Sequence, residues 1–131
     1  MSWVSVLAAF LVAHMVGDYL FQTDWQARNK RGGLGTDPVA RRALVSHVTT
    51  YTIAFLPALV WIGTELEPVW AVVAGVLVFF PHLLIDDGRI VRLYLVRVKR
   101  ADGLNLGLAA SVDQSFHVLS LFLVALLVGS A

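Results

Sequence analysis

The chain has 131 residues, about one domain by length, with 58% apolar residues, only 15% charged residues and a mean hydropathy of +0.75. A soluble globule this small leaves too much surface in water to hide so apolar a composition, and an ordinary soluble domain carries about 25% charged residues. The composition excludes disorder, the net charge of +1 gives no footprint for nucleic acid, and the lack of cysteine removes disulfide scaffolds, thiolate metal sites and thiol redox chemistry. The expected fold class is all-α: a polytopic membrane protein with one transmembrane domain over residues 1–131.

A bilayer-crossing helix needs about 20 apolar residues. The first such run covers 2–22. It lacks a basic n-region, exceeds a usual signal-peptide core in length and has no small-residue cleavage pattern after it, so it is expected to remain as a span. Residues 23–42 follow, with Arg28, Lys30, Arg31, Arg41 and Arg42 and a turn region at Gly32, Gly33, Gly35, Asp37 and Pro38. The Gly-Gly-Leu-Gly string there lacks the Gly-Lys-Ser/Thr ending of a phosphate loop and reads as linker. The second run covers 43–64 and contains Pro57. After a short turn with Glu65 and Glu67 comes a third run at 69–88, with Pro81 inside it. Both prolines are positioned to kink their helices and free backbone carbonyls. Residues 89–107 hold Arg89, Arg92, Arg97, Lys99 and Arg100 and suit a helix lying along the membrane surface. The last run covers 108–130.

All ten basic residues therefore fall in 23–42 or 89–107. Lys and Arg stay on the cytoplasmic side, which makes both segments cytoplasmic, places both termini outside and predicts an antiparallel four-helix transmembrane bundle in the inner membrane. The runs lack the period-two alternation of a transmembrane barrel.

Each run holds one histidine, and three of the four have an aspartate four residues away: His14 with Asp18, His82 with Asp86, and Asp113 with His117. Four residues is just over one helical turn, so each pair leaves one face about 6 Å apart along the axis. Runs one and three point inward and read His then Asp, while run four points outward and reads Asp then His. In the membrane frame all three pairs have the aspartate nearer the cytoplasm, and His47 falls near the same level. An aspartate at mid-membrane costs about 2.5–3.5 kcal/mol. Three together would rival the stability of a small domain, and metal binding can offset such a cost by about 10 kcal/mol.

The expected metal ligands are thus His14, Asp18, His47, His82, Asp86, Asp113 and His117. Imidazole with carboxylate and no thiolate suits zinc, manganese or iron. Seven ligands exceed the need of one tetrahedral ion, so either two metals bind or some aspartates orient histidines. One of Asp18, Asp86 and Asp113 is expected to act as general base in a metal-dependent hydrolase. Arg89, Arg92, Gln22 and Gln114 would form a rim favouring a phosphorylated or lipid-like anionic substrate. Two alternatives use the same residues: an ion or proton relay, and a structural protein whose His/Asp hydrogen bonds fix helix register. The expected partners are membrane lipids, with a homo-oligomer left open, and no nucleic acid.

The strings His14-Met-Val-Gly-Asp18-Tyr-Leu-Phe-Gln22-Thr23, Ala27 with Lys30, His47, His82-Leu-Leu-Ile-Asp86 and Asp113-Gln114-Ser-Phe-His117 resemble a small prokaryotic integral membrane family catalogued as a domain of unknown function, DUF3307. The resemblance covers most of the chain in order, and Asp-Gln-x-x-His is its most specific part. This chain departs after Asp86, where the family pattern has a lysine shortly afterwards and Asp87-Gly88-Arg89 stands instead. The resemblance implies a membrane location and no particular activity.

Overall fold

A computed structural model describes residues 1–101 and 105–131; the part of the expected 89–107 segment at 102–104 lies outside the described residues. The described chain is helical throughout, without strands. Helix α1 (Trp3–Met15) opens on Ser2, whose hydroxyl accepts from the Val4 amide. It runs directly into a π-helical segment, Val16–Phe21. A short α2 (Asp24–Asn29) follows, closed by a capping box between Thr23 and Gln26. Each of these two side chains satisfies the other's orphan amide at the helix start.

Helix α3 (Pro38–Ala54) begins five residues before the expected start of the second run. Its N-cap explains why: Asp37 accepts from the Val39 and Ala40 amides, and Pro38 sits at the first position, where its missing N–H costs nothing. Helix α4 (Leu56–Glu65) continues from α3 across a 47° bend at Phe55, with Pro57 in its first turn. Helix α5 (Pro68–Asp86), by contrast, runs unbroken through Pro81. Gly88 adopts a left-handed conformation and turns the chain into α6 (Arg89–Arg97), the helix expected after Asp87. Helix α7 (Leu106–Gly129) completes the order, capped by the Asn105 side chain on the Leu108 amide.

Three stretches, Trp3–Phe21, Pro68–Asp86 and Leu106–Gly129, are long and apolar enough to cross a membrane, and the bent α3–α4 pair makes a fourth if it forms one span. Their outer faces carry large apolar side chains such as Val12, Leu20, Val72 and Leu123. A soluble protein has no partner for so much exposed apolar surface, whereas lipid tails solvate it. Helix α7 packs on α1 and α5, and α5 packs on α3 and α4. The main apolar core, with Val6, Phe10, Phe55, Ile62, Leu121 and Val128, occupies the end away from the basic segments.

Candidate metal centre

The other end of the helix assembly is polar inside. Its residues come from five elements: His14 from α1, Asp18 from the π-helical segment, His47 from α3, His82 and Asp86 from α5, and Asp113 and His117 from α7. The imidazoles form a contiguous group, with ring centroids 5.2 Å apart for His47 and His82, 4.5 Å for His82 and His117, and 5.4 Å for His14 and His117. All four histidines and Asp86 are buried.

Asp18, His47, His82 and Asp86 aim ligand atoms at one point. His47 Nε2 lies 3.2 Å from Asp18 Oδ1, 2.9 Å from Asp86 Oδ2 and 3.1 Å from His82 Nε2. His82 Nε2 lies 3.4 Å from Asp18 Oδ1 and 3.1 Å from Asp86 Oδ2. Metal–ligand distances of about 2.0–2.1 Å separate tetrahedral ligands by about 3.3–3.4 Å, so these side chains already stand near ligand spacing.

Asp86 turns its second oxygen the other way. Asp86 Oδ1 is 3.4 Å from His117 Nε2, and Asp86, Asp113 and His117 form a second ligand-spaced group. His117 Nδ1 donates to the Asp113 backbone carbonyl at 2.9 Å, which leaves Nε2 without a proton in the neutral ring. Two acceptors, Asp86 Oδ1 and His117 Nε2, then face each other. Both are buried and lack a hydrogen-bond partner among the described residues, as do Asp18 Oδ1 and His82 Nδ1. Buried polar atoms are rarely left unpaired. A cation between these acceptors would satisfy them, and the donor set fits a divalent metal.

His14 departs from the expected ligand set. Its Nδ1 accepts from the Tyr51 hydroxyl at 3.0 Å, its Nε2 donates to Gln114 Oε1 at 2.9 Å, and Asp18 Oδ2 is 3.7 Å away. The cause is local: α1 gives way to π-helical winding after Met15, and that change of winding turns Asp18 toward α3 and α5 instead of leaving it stacked over His14. Gln114 passes the hydrogen bonding on, its amide donating to Asp113 Oδ2 at 3.3 Å. His14 therefore supports the centre through its neighbours. The expected rim is divided: the Gln22 amide reaches 3.2 Å from His47 Nε2, whereas Arg89 and Arg92 are exposed and Arg89 pairs with Asp87 at 3.2 Å.

Three further residues belong to the site. Lys30 Nζ donates to Asp86 Oδ2 at 2.7 Å. Asp87 is buried and accepts from the Leu34 amide, which docks the loop after α2 onto the start of α6. Tyr51 covers His82, with Gly17 packed against it. Tyr51 follows His47 by four residues, the same spacing that marks the His/Asp pairs, so its place on that face was open to inference. Lys30 carries no spacing signal, because a loop brings it in.

Helices long and apolar enough to cross a membrane, packed around a buried histidine–aspartate cluster, define a membrane protein with a buried polar centre. The chain matches the family described as Protein of unknown function (DUF3307) over residues 6–131, nearly its whole length, and belongs to that family. No curated protein and no solved structure matches it.

Proposed function

We propose that this protein is a metal-dependent hydrolase of the inner membrane, a four-span antiparallel bundle with both termini outside and its centre near the cytoplasmic face. The observation that carries the metal is the convergence of buried acceptors, above all Asp86 Oδ1 and His117 Nε2, which have no partner among the described residues. In this reading Asp18, His47, His82 and Asp86 hold the ion, and His117 adds Nε2 to the same ion or a neighbouring one. A divalent ion there would supply Lewis acidity and lower the pKa of a bound water.

Asp113 suits the role of general base. It is the most open of the three aspartates, with its side chain 17% exposed, and its carboxylate is held only by contacts of 3.3–3.4 Å. Exposed Arg31, Arg89 and Arg92 favour an anionic substrate, phosphorylated or lipid-like, approaching from the basic end. Transport is the weaker reading, because the buried polar side chains among the described residues are His14, Gln26, His47, His82, Asp86, Asp87 and His117, and none of them continues a polar path among Val6, Phe55, Ile62 and Val128.

Metal analysis of the detergent-purified protein tests this reading. Stoichiometric zinc, manganese or iron, lost together with hydrolytic activity in His82→Ala, is the expected result. Protein that holds no metal and takes none up would leave the hydrogen-bonded structural role as the better account.

A further inference from the structure

Lys30 is held in place from both sides. Ahead of it, α2 is closed by its capping box and pinned to α3 by Gln26 donating to Ser46 Oγ at 3.1 Å. Behind it, the Gly32 amide donates to the Asp87 carbonyl at 2.9 Å and the Leu34 amide to Asp87 Oδ1 at 2.8 Å. The result is one ammonium, its side chain 14% exposed, set 2.7 Å from a carboxylate that is 1% exposed. No other Lys or Arg among the described residues pairs with an aspartate of the centre; Arg28 pairs with Asp24 and Arg89 with Asp87.

The charges make this arrangement informative. A divalent ion held by Asp18 and Asp86 would offset the charge of both carboxylates. The Lys30 ammonium would then be an uncompensated positive charge beside the ion. A lysine stem has four carbons and its head group bonds as a compact point charge, so the partly exposed ammonium can turn toward solvent while its backbone stays clamped. Arg31, beside Gly88, and Arg89, beside Gly35, flank the loop that carries Lys30. Three cations around one loop, one of them bonded to a carboxylate of the centre, suit an oxyanion of phosphoryl type.

We propose that Lys30 is the residue that binds the phosphoryl group of the substrate at this centre, an inference that rests on the metal-dependent reading above. The competing role is purely structural neutralisation of Asp86. Calorimetric titration of metal-loaded, detergent-solubilised full-length protein separates the two. The probes are inorganic phosphate and dihexanoyl phosphatidic acid, with metal content measured on the same samples.

Lys30→Met should keep its metal and bind both probes at least tenfold more weakly, Lys30→Arg should stay within about threefold of wild type, and Arg97→Ala should not differ from it. Tighter binding of the phosphatidic acid assigns a lipid headgroup; equal binding assigns a soluble phosphate. Unchanged affinity in metal-loaded Lys30→Met overturns the proposal, and so does loss of the metal in that variant or failure of wild type to bind either probe. Wild type that takes up no metal instead overturns the metal-dependent reading, and this assignment with it.

Should Lys30→Met not fold, the wild type still decides. Lys30 and Lys99 are its two lysines. Acetylation of Lys30, followed by mass spectrometry, should rise on metal loading and fall when phosphate is added, with Lys99 constant. Labelling of Lys30 that ignores phosphate overturns the proposal.

Discussion

The ring of Tyr51 lies flat on the imidazole of His82, centroids 3.4 Å apart and planes within 11°, while its hydroxyl donates to His14 Nδ1 at 3.0 Å. One α3 side chain thus fixes histidines on α5 and α1. The two contacts separate by substitution. Tyr51→Phe keeps the stack and leaves buried His14 Nδ1 without its donor, an expected loss of about 1–3 kcal/mol. Tyr51→Ala also opens a cavity beside His82 and should cost about 3–5 kcal/mol. Denaturation midpoints and metal content check this: the Phe variant should retain metal and the Ala variant should lose it. Equal metal retention in both would show that the stack does not position His82.

Gly17 faces the same tyrosine. A Cβ at that position would stand 2.6 Å from Tyr51 Cδ2 and 3.2 Å from Tyr51 Cα. The ring cannot swing away without leaving His82 and His14, and the backbone cannot move without carrying His47. Gly17→Ala is therefore expected to destabilise by about 1–3 kcal/mol, as overpacking does, and to displace the neighbouring Asp18. Gly75→Ala is the matched comparison, since its Cβ would meet only Leu59 Cδ1 at 3.4 Å. That variant should equal or exceed wild type, because alanine is the better helix former. Thermal unfolding of the pair reads the difference, and equal midpoints would contradict the close approach.

Much of this arrangement is legible in the spacing of a few residues. Four-residue steps in runs of opposite direction place His82, Asp86, Asp113 and His117 at one level, and the structure brings these side chains together with His47 and Asp18. His14 was beyond that logic. Helical spacing assumes regular winding, and the π-helical segment after Met15 spends Asp18 on α3 and α5. The start of α3 was hidden for another reason: a hydropathy window ends at Arg41 and Arg42, while the helix obeys its Asp37 cap and continues through both. Lys30 stands in the family-like pattern, but its contact with the centre is legible only in three dimensions, because a basic residue in a loop satisfies the positive-inside rule whether or not it folds back onto Asp86.

Orientation follows from charge. Lys30, Arg31, Arg89 and Arg92 share the end that holds the His/Asp cluster, and that end is expected in the cytoplasm. A reporter active only outside the cytoplasm should work when fused after Ala131 and fail when inserted at Thr36, in the first basic loop. The reverse pattern would invert the protein and move the centre to the outer face.

Removal of the metal tests the centre most directly. Ligation requires neutral imidazole and ionised carboxylate, and an ion that binds only the folded state adds its binding energy to stability by mass action. At a free concentration one hundred times its dissociation constant, that addition is about 2.7 kcal/mol. Chelation should therefore lower the unfolding temperature of wild type, and returning zinc, manganese or iron(II) should restore it. His82→Ala deletes a ring whose Nε2 lies within 3.4 Å of Asp18, His47 and Asp86 ligand atoms, so it should lose both the metal and the response to chelator. Arg97→Ala, at the exposed end of α6, should keep both. A hydrogen-bond network alone predicts no dependence on free metal in any of the three proteins. Wild type shown to carry stoichiometric metal before chelation and none afterwards, yet unfolding at the same temperature, would reduce the ion to a bystander and leave the facing acceptors Asp86 Oδ1 and His117 Nε2 to be bridged by a proton.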